Sequence, residues 1–234
     1  MKISPQLPIL AVIVAGAFST GRAAILADYD FTGSSLASVD SNAQSVAGAF
    51  AKASVFSESG FSDGDGSFLF VTSQRTPMSE ELAISTNAYL SFTVTAEAGS
   101  SLNLTSLTFG TAWYTTTAAS SGVTNFVIRS SIDNYSANLA VYSDSPGQGN
   151  TSTPTFTGRE IDLSGSSFQS ISGVTFRIYI WDVLTGGTRH AAVDDVILNG
   201  TAISSVPEPS SVALAAGLVI GAFATLRRRR SSGN

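Results

Sequence analysis

The sequence predicts an all-β protein, an antiparallel, jelly-roll-like sandwich. Three observations carry that expectation. Apolar and hydroxyl-bearing residues alternate with period two through the middle of the chain. Clusters of Gly, Ser, Asn and Asp separate most of the alternating runs, as turns require. No internal stretch holds a 3.6-residue period over helical length; only 78–84 could give a helical turn.

The elements follow in order. Residues 25–31, 46–56 and 67–73 read as the first strands. In Tyr89–Thr95, Leu90, Phe92 and Val94 point one way and the hydroxyl residues the other. Strands are next expected over 102–110, 123–130, 138–143 and 156–163. In Val174–Trp181, Val174, Phe176, Ile178 and Ile180 form one face, and Arg177, Tyr179 and Trp181 the opposite one. A final strand is expected over 191–199. About ten strands without helices need two packed sheets or a barrel.

The two ends are different in kind. Residues 1–23 have the layout of a secretory signal peptide: Lys2, an apolar run from Leu7 to Phe18, and Gly21-Arg22-Ala23 placing small residues before a cut after Ala23. Cleavage after Ala24 or Ala27 is also admissible. At the other end Val206-Pro207-Glu208-Pro209 cannot continue a strand or helix. Residues 210–226 then carry no charge, and Arg227, Arg228, Arg229 and Arg230 follow. Those 17 residues would reach about 25 Å as a helix, enough to cross a bilayer if flanking side chains snorkel. The arginines would hold its C-terminal end in the cytoplasm. Gly217 and Gly221 form a GxxxG spacing suited to helix packing. The exported body is therefore 24–205. It has six basic and sixteen acidic residues, hence a charge of −10, against −5 for the whole chain. Such a surface has little attraction for nucleic acid or anionic lipid. With no cysteine in the chain, disulfides and thiolate sites are excluded.

The order Pro-Glu-Pro, apolar segment, arginine cluster over Val206–Arg230 closely resembles the PEP-CTERM sorting signal of Gram-negative bacteria. The same tail has been described as the C-terminal domain of ice-binding proteins. The resemblance implies export through the Sec machinery and signal peptidase, and transient anchoring in the inner membrane. Recognition and cleavage by an exosortase would follow at Pro207, Glu208 and Pro209, with release to the cell surface or extracellular matrix. Arg227 to Arg230 would be the stop-transfer cluster. Within the body, Thr175–Trp181, the glycines at 186–187 and Val193–Gly200 look like the last hairpin of many proteins bearing this signal. Ser130–Tyr135 resembles another segment recurrent in them. Those bodies are lectin- or concanavalin-like in shape.

Candidate chemistry is sparse. Asp63-Gly64-Asp65-Gly66 could begin a Ca²⁺ loop, but position twelve from Asp63 is Gln74, not the glutamate of an EF-hand. A plain turn is the simpler reading, since Asp and Gly are turn residues in any case. Asp194 and Asp195, adjacent in a strand, are expected to face opposite sides. Either could pair with Arg177 or Arg189, and Asp194 is the further candidate calcium ligand. Trp113 with Tyr114, and Tyr179 with Trp181, are aromatics on which sugar rings could stack if exposed; core packing is the alternative. His190 is the only histidine, and no Gly-x-Ser-x-Gly, P-loop or dinucleotide motif occurs. The threonines at 115–117 and in 89–95 show no ice-matching repeat. Three readings follow. The first is a non-catalytic surface or matrix protein binding extracellular polysaccharide. The second is a secreted glycan-active enzyme of concanavalin-like fold, and the third a purely structural coat protein. Coplanar exposed aromatics would mark the binder, and a carboxylate pair on an open concave face the enzyme.

Overall fold

The computed structural model describes residues 24–56, 59–62, 68–72, 79–114, 121–145, 154–185 and 190–204. The predicted signal peptide, the Asp63–Gly66 loop and the sorting tail lie outside them. Twelve strands are described: β1 (Ala24–Tyr29), β2 (Ser45–Ala47), β3 (Ala51–Lys52), β4 (Ser59–Ser62), β5 (Phe68–Thr72), β6 (Tyr89–Ala96), β7 (Ser100–Tyr114), β8 (Ser121–Ser130), β9 (Ala140–Asp144), β10 (Thr157–Asp162), β11 (Gly173–Thr185) and β12 (His190–Ser204). One helix, α1 (Glu80–Ser85), interrupts them. Among the described residues no helix is long and apolar enough to cross a membrane.

The strands make an antiparallel two-sheet sandwich. Sheet I has the order β10-β7-β12-β5-β4, with β1 also paired to β12; sheet II has β2-β6-β11-β8-β9, with β3 also paired to β6. The alternation read from the sequence is the inner face of sheet II. Leu90, Phe92 and Val94 of β6 pair in register with Ile178, Phe176 and Val174 of β11, and all six are buried. An aromatic chain carries the core across to sheet I. Tyr29 packs on Phe50 and Phe92 at 5.1 and 5.3 Å between ring centroids, and Phe92 meets Phe176 at 5.4 Å. The Tyr29 hydroxyl donates to the Gly48 carbonyl at 2.6 Å, so its polar tip is satisfied inside the core. The single run expected over 46–56 is two short strands, because the chain turns at 48–50 to put Phe50 inside.

The last strand departs from plain alternation. Val193 and Thr111 are register partners, and Ile197 pairs with Thr108, so two residues of β12 oppose one of β7. This is a β-bulge, with Asp195 in the left-handed region at φ 47°. The extra residue resets the phase, and Val193, Val196 and Leu198 all face the core at 0% exposure. Unbroken alternation from Val193 would have driven Asp195 and Ile197 inward instead. The expectation that Asp194 and Asp195 face opposite sides is therefore corrected: the bulge keeps both carboxylates outside the core.

A second irregularity in β12 lies between Asn199 and Gly200. A Cβ on Gly200 would stand 2.4 Å from the Asn103 carbonyl oxygen and 2.8 Å from a Leu26 methyl. Backbone cannot yield as a flexible side chain can. Gly200→Ala should destabilise the fold by about 1–3 kcal/mol or more, read as a lowered urea midpoint at unchanged m-value.

Candidate functional site

The outer face of sheet II holds the densest set of functional side chains. Its rows follow from register: Tyr89 of β6, Tyr179 of β11 and Val127 of β8 lie side by side, and Ser91, Arg177 and Arg129 form the next row. Val141 of β9 continues the first row at 52% exposure, which marks this face as the solvent side. Yet Tyr179 is 1% exposed, Trp181 8% and Val127 0%. The reason is α1. Ser79 caps the helix by accepting the Leu82 amide at 3.2 Å. The helix packs on β11, with Ala83 in the same buried cluster as Tyr179 and Val127. Tyr179 and Trp181 thus point outward as the alternation requires, yet both are buried: α1 packs on β11, and Tyr89 and Arg129 pack on the Tyr179 ring at 5.3 and 6.0 Å. They are packed aromatics, not an open stacking platform.

Arg129 fastens that cover. Its Nη2 donates to Glu80 Oε1 at 3.1 Å, its Nε to Asn138 Oδ1 at 2.7 Å and its Nη1 to the Tyr135 carbonyl at 2.8 Å. One guanidinium on β8 therefore holds both α1 and the turn that follows β8. That turn begins as a short 3-10 segment, Ser131–Asp133, then places Asn134 and Tyr135 in the left-handed region at φ 58° and 60°. For tyrosine such a backbone is unfavourable and needs surrounding support. The Asp133 carboxylate supplies more of it, accepting from the Ala137 amide at 2.8 Å and the Ser136 hydroxyl at 3.1 Å.

The result is a stacked triad. Arg177 lies with its guanidinium carbon 3.7 Å from the Tyr135 ring centroid and 4.4 Å from that of Tyr89. Its Nη1 donates to the Tyr179 hydroxyl at 3.2 Å. Both tyrosines and the arginine are half-buried. Among the described residues Arg177 makes no ion pair; the salt bridges there are Arg129–Glu80 and Arg159–Asp144. Sequence reading singled out Ser130–Tyr135 as a recurrent segment and Arg177 as outward-facing. It did not connect them, because only the left-handed turn brings Tyr135 back over the sheet.

The remaining candidates fall elsewhere. Trp113 stands on the inner face of sheet I, in register with core residue Ala191; of Tyr114 only the strand position is described. His190 opens β12 and is buried. Arg177 is not the partner of Asp194, which lies on the other sheet, and Arg189 is outside the described residues. Asp194 instead accepts the Asp195 amide at 2.9 Å. Burial, then the charges of Asp195 and Asp30, push its carboxyl up to about 6. Asp28, raised by burial and by Asp30, Asp195 and Asp40, belongs to the same acidic outer face of sheet I. Among the described residues no three carboxylates or histidines converge as a metal site. Asp63 and Asp65 lie outside them.

Two carboxylates do share a row between the sheets: Asp182 and Asp144 flank Thr124 across β11, β8 and β9. They are 1% and 8% exposed, and Asp144 is ion-paired to Arg159, which also bonds Thr111 at 2.9 Å and stacks on Tyr142 at 4.8 Å. Tyr142 in turn donates to the Glu160 carbonyl at 2.8 Å, so this network closes the β9 and β10 edges of the sandwich. Burial raises the Asp144 carboxyl despite Thr111 and Arg159 beside it. The row is internal, not an open catalytic pair.

No protein-family profile and no curated protein matches the chain. Similar solved structures include the mannan-recognising carbohydrate-binding module TmCBM27, at 10% identity over 77% of this chain and 99% of that one, TM-score 0.43. The K3 cleaved adhesin domain of Lys-gingipain from Porphyromonas gingivalis is similar at 14% identity over 76% and 100%, TM-score 0.41. The xylan-binding CBM22-2 domain of Xyn10C from Paenibacillus barcinonensis is similar at 14% over 75% and 98%, TM-score 0.36.

The raised Asp194 carboxyl has a thermodynamic sign. The folded state binds its proton below about pH 6, the unfolded chain only near 3.8. Stability from this group is therefore gained as pH falls through that window and absent at pH 7. Asp194→Asn keeps an oxygen for the Asp195 amide and removes the charge. It should raise the melting temperature at pH 7 and shrink the gain in melting temperature between pH 7 and pH 5.

Proposed function

We propose that this chain is a non-catalytic exported protein whose jelly-roll-like sandwich binds extracellular polysaccharide on the outer face of sheet II. The Tyr89–Arg177–Tyr135 stack carries the reading. A sugar presents a C–H face that packs on an aromatic ring, and hydroxyls that a guanidinium edge and phenol groups orient. The rings are set on a strand and on a turn pinned by Arg129 and Asp133, so little side-chain or loop ordering is left to oppose binding. The burial of Asp144 and Asp182 between the sheets supports binding over hydrolysis.

Export and sorting complete the proposal. The Sec machinery and signal peptidase deliver the chain, the 210–226 segment holds it in the inner membrane, and an exosortase acts at Pro207–Pro209 before surface or matrix display. Of the admissible signal cuts, the one after Ala23 leaves β1 whole. A cut after Ala27 would remove Leu26 and Ala27, both at 0% exposure, from the core. Ca²⁺ at the Asp63–Gly66 loop stays part of the proposal, and its removal by chelator is a separate arm of the binding assay.

Two measurements test these statements. Tyr135→Ala and Tyr89→Ala should each weaken retention on matrix polysaccharide two- to ten-fold, the worth of about 0.5–1.5 kcal/mol per aromatic contact, with an unchanged circular dichroism spectrum. Full retention by both variants would remove this face as the site. Intact-mass analysis from the native host should give an N-terminus at Ala24 and a C-terminus near Pro209; an unclipped tail would sink the sorting proposal.

A further inference from the structure

We infer that the ligand of this face is an acidic polysaccharide, and that Arg177 receives the carboxylate of a uronic-acid unit whose ring lies against Tyr135. The inference deepens the polysaccharide reading and rests on it.

Arg177 is set apart from the other described arginines by its partners. Three arginines are described in side-chain detail, and two are matched to carboxylates: Arg129 to Glu80 and Arg159 to Asp144. Arg177 meets only phenols, in a body with sixteen acidic residues available. Of its five N–H donors, only one on Nη1 is engaged among the described residues. Nη2 and Nε retain their donors. The guanidinium carbon lies over the rings of both Tyr89 and Tyr135, and the remaining N–H donors point outward along the planar guanidinium edge. That edge is the geometry that meets a carboxylate with two parallel hydrogen bonds. A neutral sugar would use single hydroxyl contacts there and gain less, because bonds to a charged acceptor are roughly twice as strong.

The neighbouring groups fit the same ligand. Glu80 is already held by Arg129 and by Asn138 Nδ2 at 2.8 Å, so its charge is compensated. Asp133 is turned into its own loop, bonded to Ala137 and Ser136. Asp28 of β1 and Asp194 and Asp195 of β12, the crowded acids, belong to the opposite sheet.

Affinity electrophoresis of the full chain in detergent provides the test, with polygalacturonate and the same polymer after carboxyl reduction. Polygalacturonate should retard the chain, and the reduced polymer should bind on the order of ten-fold more weakly. Arg177→Gln should bring polygalacturonate binding down to the level of the reduced polymer, and Arg177→Lys, which keeps charge without the planar edge, should fall between. Equal affinity for the two polymers would overturn the carboxylate assignment while leaving the glycan reading intact. Wild-type affinity in Arg177→Gln would overturn the placement. Binding of neither polymer would overturn this inference, and failure on neutral matrix glycans as well would overturn the reading beneath it. The polymer comparison uses the wild-type chain, so it stands even if a variant fails to fold.

Discussion

Keeping Asp194 and Asp195 out of the apolar core is the constraint that shapes β12, and β12 is the strand to which β7, β1 and β5 all pair. Its sequence puts Asp194 and Asp195 in the middle of an otherwise apolar run. A regular strand must bury one of two adjacent residues, and an unpaired buried carboxylate costs several kcal/mol or changes its protonation. The bulge at Asp195 avoids that cost by spending one residue outside the ladder. Its consequence reaches across the sheet: Val196 and Leu198 are returned to the core, in register with Tyr29 and Ala27 of β1. The aromatic chain through Tyr29, Phe50 and Phe92 depends on that register. The raised carboxyl of Asp194 is the residual cost, from its partial burial first and from the acids crowded beside it second.

Sheet II solves a different problem. Its central strand β11 is apolar on the inner face and carries two large aromatics on the outer one, too much apolar surface to leave in water. A helix of six residues could not persist alone. It does so here because it packs on β11 with Ala83 buried, and because Arg129 holds Glu80. The cover stops short of Arg177, where the turn from β8 brings Tyr135 in place of an apolar lid. The outer face is thus divided into a sealed half around Tyr179 and Trp181 and a half-open one around Arg177.

Most of the fold was legible because alternation is a strong signal wherever one face is buried. The inner faces of β6 and β11 were read residue by residue, and the helical turn near 78–84 was seen. Strand lengths were less legible: β7 runs to Tyr114 and β12 from His190 to Ser204, beyond the runs read for them, because long central strands keep pairing through polar stretches. The bulge was hidden, since two adjacent aspartates in a strand look the same whether or not one is extruded. The site was half legible. Alternation correctly sent Tyr179 and Trp181 outward, but exposure depends on what lies above a face, which local pattern does not encode. Tyr135 was invisible as a partner of Arg177, since the contact spans 42 positions and depends on a left-handed backbone that tyrosine rarely adopts.

The net charge of the body gains meaning from this arrangement. A −10 sandwich would be a poor partner for an acidic polymer if its charges were spread evenly. They are not: the carboxylates that raise one another's proton affinity lie along β1 and β12, while the unmatched guanidinium lies on β11 in the other sheet. Facing sheets stand about 10 Å apart, and opposite outer faces are further apart still. At physiological salt the screening length is about 8 Å. An anion at Arg177 is therefore largely screened from the acidic face behind it, and feels the guanidinium in contact. Under the proposal above, a long acidic polymer offers one such carboxylate after another, so affinity would arise from many weak contacts along one strand.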